Sequence, residues 1–550
     1  MDRKDFFQVL FQNRQTLTSG MTTLNPYTGP WTEQHAVHLL RRTTFGFSPD
    51  QLPAFLAGGM DAAVDKILTI NEPEPSPPIN VYSSAQLPDP DVPYGQTWVN
   101  APYNVALPPE YYQARTDVLK AWWTGLMIHS NLHIREKMTL FWHNHFAVEA
   151  DTVTLAQGMY YYLAALRSNC LGNFKALTKT VTLDPAMLLY LNGYLNAKLQ
   201  PDENYGRELQ ELFTVGKGPD SKFTEGDVKA AARVLTGYRI NPLTSPFSYF
   251  FDFTQHDTGN KTFSAFYNNT VIGGKFGPAG ANELDDMLNM IFATNEVALH
   301  LCRKIYQFFV YYEITPEVEM NIIAPMAQIF RSSNYEILPV MDALLRSEHF
   351  YDEISMGCII KSPLDFTVGI SRQFKVPYPS ATPDAQLLYR TWGITTSYAA
   401  AAGLNVLDPP LVAGWPAWYQ SPMFHRVWIN SDTLASRFIL ANGITGNGLD
   451  IEGTILKLDP IPFADTLPDP VDPNTLVSDS IRYLFALPVS QATRDYYKSF
   501  LLGGLDDSYW STLWVTYKAN PSDPGNANGV RTRLSAMYRE MMVQAEFHLS

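Results

Sequence analysis

Residues 135–148 read REKMTLFWHNHFAV, and the periodicity of this stretch decides the fold class. Together with Ile134, its bulky positions fall at Ile134, Met138, Phe141, Trp142 and His145, the i, i+4, i+7, i+8, i+11 spacing of one helical face. Asn131 stands where a helix cap is expected. His145 then lies within the apolar stripe, and Glu136, Leu140 and His143 lie on the other side. That geometry limits metal chemistry. Residues two apart on a helix diverge by about 200°, whereas on a strand they share a face. If the helix continues through Phe146, His143 and His145 act separately; if the chain becomes extended at Trp142, they can chelate one ion. The bland alternative makes His145 a hydrogen-bonded core histidine, with His143 capping or packing.

Working outward, the same helical pattern dominates the chain. WTEQHAVHLLRRTTFGF (31–47) has Thr32 as N-cap and Gly46 as stop. Residues 72–110 are rich in Pro, Asn and Ser and read as an irregular crossing. Residues 111–240 are helical, with breaks at Ser130–Asn131, Asp184–Pro185 and Pro201–Asp202. Segments 241–284 hold short strand-like runs. Helices resume from 282 to about 373, residues 374–430 read as loops rich in aromatics, and helices return from Ser431 with a Pro-rich break at 459–473. The expectation is a mainly α protein: an N-terminal arm over 1–30, then one large multi-helix orthogonal bundle over 31–550 with a small β-like insertion.

A second polar constellation follows the first. PDENYGRELQELFTVG (201–216) has Pro201 and Asp202 at its start and Gly216 at its end. Tyr205, Leu209, Leu212 and Phe213 form its apolar face. Arg207 and Glu211 make an i, i+4 ion pair on the opposite side. Glu208 sits at the border of the stripe, where a carboxylate can serve as general base or metal ligand. His129 and His133 form a third, weaker pair whose spacing suits a helical metal face only if no break falls at Ser130–Asn131.

Composition excludes some classes. The chain has 550 residues, 46% hydrophobic and 17% charged, which suits a packed core rather than disorder. The net charge of −14 and the lack of a basic run longer than Arg41–Arg42 argue against a nucleic-acid partner. Cys170, Cys302 and Cys358 match no metal knuckle or redox pair and read as buried thiols. No apolar run is long enough to span a membrane. MDRKDFFQVLFQNRQ (1–15) echoes a twin-arginine export signal, but Gln12, Asn13 and Arg14 cut its apolar stretch short, so no cleavable signal is expected. No GxSxG elbow, phosphate loop, dinucleotide fingerprint or HExxH occurs.

The blocks HLLRRTTFGFSPDQL (38–52), REKMTLFWHNHFAV (135–148), DPAMLLYLNG (184–193), ENYGRELQELFTVG (203–216), DVKAAARVLTGY (227–238), HDTGNKTF (256–263), IKSPLDFTVG (360–369) and PPLVAGWPAW (409–418) occur in one order. In this the chain resembles the family called domain of unknown function 1800 over nearly its whole length. The resemblance implies a mostly helical, bacterial, often exported or periplasmic protein. It also implies a sulfatase-like partner of the domain of unknown function 1501 family, and it brings no established activity. Residue by residue it singles out His38, Arg41, Arg135, Glu136, Trp142, His143, Asn144, His145, Asp184, Glu203, Asn204, Arg207, Glu208, Glu211, Lys361 and Trp415. Relatives carry a histidine where this chain has Phe213, so a haem-ligand role there does not transfer.

Three functional readings follow. In the first, an enzyme has a polar pocket built from 135–148 and 203–216. His143, His145, Glu208, Arg135 and Arg207 are its reactive set, His38, Arg41, Asn144, Asn204, Lys361 and Trp415 line or bind, and a divalent metal, if present, sits on His143, His145 and Glu208. In the second, the same residues form a structural polar network in a scaffold or binding partner of an exported assembly. In the third, Trp415, Trp418 and Trp428 offer a platform to a carbohydrate.

Overall fold

Helix-forming periodicity becomes helix along most of the chain. The computed structural model describes residues 22–84, 86–383 and 385–550; the export-like stretch and most of the N-terminal arm lie outside them. The described residues are mainly α, with three two-stranded antiparallel sheets. Thr32 caps the helix Glu33–Thr43 through a capping box with His35, and Gly46 takes a left-handed φ of 117° beyond its end. Residues 69–108 form the expected irregular crossing. Two small sheets occupy the expected insertion, pairing Tyr238–Asn241 with Ser248–Phe251 and Lys261–Thr262 with Val271–Ile272.

Three expectations need correction. The central helix runs Arg135–His145, and Ile134 rather than Asn131 precedes it; the Asn131 amide is drawn off to the Glu72 carboxylate at 3.1 Å. The second segment begins its helix at Asn204, not at Pro201–Asp202, and after Glu208 widens into a π-helical turn over Leu209–Thr214. The 374–430 region is not all loop. It contains the helix Ala385–Ala401, which lies against Pro109–His129. Its Thr- and aromatic-rich sequence has no clean stripe, but Gly125 leaves room for the Trp392 ring, and the Thr396 hydroxyl donates to Thr124 Oγ1 at 2.8 Å. Packing, not intrinsic preference, selects this helix.

One hydrophobic cluster runs from Ala36 to Leu549. The central helix is buried on every side, its charged residues included. The C-terminal stretch returns to the middle of the chain, where Ile360 bridges Leu549 and the Lys361 amide donates to the His548 carbonyl at 2.8 Å. Cys170, Cys302 and Cys358 are free and buried. Among the described residues no helix is long and apolar enough to cross a membrane.

Candidate functional site

The helix continues through His145, with Phe146 as its C-cap, so the two histidines diverge as helical geometry requires. His145 points inward among Phe141, Trp142, Phe146, Phe174 and Phe213. Its Nε2–H donates to the Phe213 carbonyl at 3.0 Å. That bond joins segments 135–148 and 203–216. On the next carbonyl, Leu212, His300 from the helix Asn295–Phe309 does the same at 2.9 Å. These two carbonyls lie in the last turn of the segment, where a helix leaves its final carbonyls without amide partners, and the histidines satisfy them. Burial holds the His145 pKa well below the usual histidine value and that of His300 at about 3, so both imidazoles are neutral.

His143 faces the Glu136 side, as expected, but that side is also sealed. Its ring meets the edges or faces of Trp123, Tyr162 and Trp415 at centroid distances of 5.7, 5.9 and 5.6 Å. Two of these neighbours have their polar tips committed elsewhere, Trp123 Nε1 donating to Glu136 and Tyr162 Oη to the Phe146 carbonyl, while the Trp415 backbone amide donates to Asn144 Oδ1. Neither ring nitrogen of His143 has a partner among the described residues. Burial depresses its pKa to about 3.

The remaining residues of the expected reactive set are dispersed. Glu136 is clamped by Arg167 at 2.7 and 3.0 Å, and Arg167 also reaches Glu74. Arg135 turns toward the crossing, to the Glu72 carbonyl and Glu74. Arg207 is partly exposed among Glu225, Glu203 and Glu211 at 2.7, 3.2 and 3.7 Å. Glu208 is half-buried; burial and then Glu211 raise its pKa. Asn204 is exposed and donates to the Leu191 carbonyl at 3.3 Å. His133 pairs with Glu72 and His129 accepts from Trp392, so they share no ion. Among the described residues no group of three or more His, Cys, Asp or Glu side chains is placed to hold a metal ion, which removes the His143, His145, Glu208 ligand set from this arrangement. The tryptophan platform is also corrected. Trp415 and Trp428 are 2% and 3% exposed, and Trp418 meets them edge-on at 85° and 75°, so no coplanar exposed face exists. Gly414 lets this segment close on Asn144, because a Cβ there would stand 2.3 Å from its Oδ1.

His38 and Arg41, by contrast, line a cavity. Gln34, Val37, His38 and Arg41, at i, i+3, i+4 and i+7 of the helix Glu33–Thr43, form one wall of a cavity of about 700 Å³. The opposite walls come from Glu353–Gly357 and from 478–494, including Asp479, Arg482 and Arg494. His38 Nε2–H donates to the Phe350 carbonyl at 3.0 Å, which leaves Nδ1 as an acceptor; burial and Arg42 keep the ring neutral. Arg41 Nη2 donates to the Tyr483 carbonyl at 2.9 Å, and its Nε is buried without a partner. Burial, reinforced by Arg42, lowers its pKa to about 9. Arg482 is held by Asp479 at 2.9 Å and Glu33 at 2.8 Å. Asp479, Arg482, Arg494 and Glu353 carry no local signature that marks them, since only the fold sets them opposite His38. Lys361 lies behind this wall, fully buried, its ammonium 4.0 Å above the Phe547 ring, with burial and Arg41 holding its pKa well below the lysine value.

No curated protein and no solved structure matches the chain. The model of the family described as protein of unknown function (DUF1800) matches residues 38–517, from the cleft histidine through the wall opposite it. The chain therefore belongs to the DUF1800 family.

Proposed function

We propose that the chain is a ligand-binding protein whose working surface is the cleft between His38–Arg41 and 478–494, with the His143–His145 helix as its internal frame. The observation that carries this reading is a cavity of ligand size lined by a neutral histidine and a buried guanidinium that finds one protein acceptor. His143 and His145, by contrast, are 0% and 1% exposed. The test is a thermal-shift screen of small organic acids, amines and sugars on the full chain and on Ser478→Trp, which fills the cleft. Ligands that raise the wild-type Tm and leave the variant unmoved support the reading. A screen in which every stabilising compound acts equally on both overturns it.

A second reading keeps His143, His145, Glu208, Arg135 and Arg207 as an enzyme's reactive set. What favours it is the pair of unmatched nitrogens on His143, and it requires the 409–418 segment to lift from Asn144. The resemblance adds a bacterial, exported setting and a sulfatase-like partner to either reading. Co-purification of the full chain with such a protein, or the failure to co-purify, decides that part.

A further inference from the structure

We propose that the His38–Arg41 cleft takes a small organic oxyanion that also carries a hydrogen-bond donor, with Arg41 and Arg494 holding the anion and Asp479 the donor. This rests on the cleft being the binding surface. The charged side chains that line it are Arg41, Arg482, Arg494, Glu353 and Asp479. Glu353 is exposed at the rim, where solvent screens it. Arg482 is already matched by Asp479 and Glu33. The other three each carry a buried atom without a partner.

Arg41 is 7% exposed, its Nε has no acceptor, and the charged groups acting on it are cations. Arg42 lies beside it and Lys361 behind it, with Arg437 beyond, stacked over Phe366 and donating to the Lys361 carbonyl at 2.9 Å. The carboxylate that acts on Lys361 and Arg437 is Asp365, which is also bonded to Lys137. The Arg41, Arg42 and Arg437 guanidiniums therefore present positive potential to the cleft floor, and the hydrogen-bond partner of Arg41 is a carbonyl, not a carboxylate. Arg494 offers a second buried Nε without a partner. A planar guanidinium with free N–H groups suits an oxyanion better than any neutral acceptor. Asp479 is 9% exposed; its Oδ1 accepts from Arg482, and its Oδ2 is buried without a donor. A hydroxyl or ammonium group on the ligand supplies what Oδ2 lacks. The residues that line this one cavity thus carry unmatched buried donors and an unmatched buried acceptor, which suits a molecule that carries both.

The experiment is calorimetric titration of the full chain with three compounds that share a hydroxylated three-carbon body: glycerol 3-phosphate, glycerate and glycerol. Both anions are expected to bind, and their ratio tells a phosphoryl from a carboxylate head, while glycerol gives no heat. Arg494→Gln, at a half-exposed position that the fold tolerates, weakens both anions by about tenfold. Asp479→Asn weakens glycerol 3-phosphate and leaves inorganic phosphate, titrated as a control beside these three, unchanged. Binding of glycerol as tight as that of glycerate, silence with all three, or indifference to Arg494→Gln overturns the proposal. Should Ser478→Trp-sensitive ligands exist but all be uncharged, the cleft survives as the binding surface and only the anion assignment falls.

Discussion

An imidazole whose nitrogens both lack partners is an expensive core residue, and His143 is one. Each unmatched buried donor or acceptor costs about 1–3 kcal/mol, and a phenyl ring would bring no such atoms. His143→Phe is therefore expected to keep the fold and to raise the urea midpoint at pH 7.5. A fall in the midpoint would show that a buried water completes the imidazole's bonds. The same substitution reports on pH. In the unfolded chain a histidine takes its proton near 6.5, and in the folded chain His143 takes it only at about 3. The unfolded chain thus binds the proton first, so stability is whole above about pH 6.5 and falls as the pH drops toward the folded value. Between pH 7.5 and 4.5 this one group removes about 2–3 kcal/mol, and His143→Phe should narrow the pH dependence by that amount. Glu136 is the opposite case. Its carboxylate is matched by Arg167 and Trp123, so Glu136→Ala leaves a buried guanidinium short of its main partner and should cost about 3–5 kcal/mol in denaturant titration.

At the scale of elements, the π-helical turn Leu209–Thr214 and the histidines that close it form one unit. Thr214 Oγ1 donates to the Leu209 carbonyl, and the Gly216 amide to that of Gln210, which ends the widened turn at a left-handed glycine. His145→Leu keeps the apolar volume but leaves the Phe213 carbonyl unmatched. It should cost about 1–3 kcal/mol and speed amide exchange across 204–216 more than elsewhere. Uniform exchange acceleration would show that the turn does not depend on that bond. The helix pair Pro109–His129 and Ala385–Ala401 gives a second test. A Cβ on Gly125 would stand 2.5 Å from the Trp392 ring, so Gly125→Val forces the helices apart. A loss of about 1–3 kcal/mol is expected from the overpacking, read from the urea midpoint.

Over the whole molecule, a single apolar cluster links the first described helix to the last residues, and the cleft is the space left where Glu33–Thr43, 353–357 and 478–494 meet. A core shared by such distant stretches should unfold in one calorimetric transition whose van't Hoff and calorimetric enthalpies agree. Two resolved transitions would show that the chain holds separable units. The positive cleft floor is compatible with the net charge of −14, because that total counts every charged side chain wherever it lies, and buried Arg41, Arg42 and Arg437 gather at one place within it.

What the sequence determined by itself was local. The spacing of Ile134, Met138, Phe141, Trp142 and His145 specified a helix, and the 100° advance per residue separated His143 from His145. Thr32 and Gly46 marked the ends of the first helix, and the strand-like runs within 241–284 marked the insertion. The family blocks included His38 and Arg41. Tertiary structure alone decided which polar residues reach solvent. Periodicity names the apolar face of a helix, but whether the polar face is also covered depends on neighbours far along the chain. Trp123 and Tyr162 close over His143, and Trp415, more than 270 positions beyond it, completes the seal. Arg207 meets three carboxylates instead of a ligand, and Asp479 and Arg494 come opposite Arg41 only when the C-terminal helices fold back. Exposure is a property of the assembled core, so the sequence identified the polar residues and the packing chose which of them can bind.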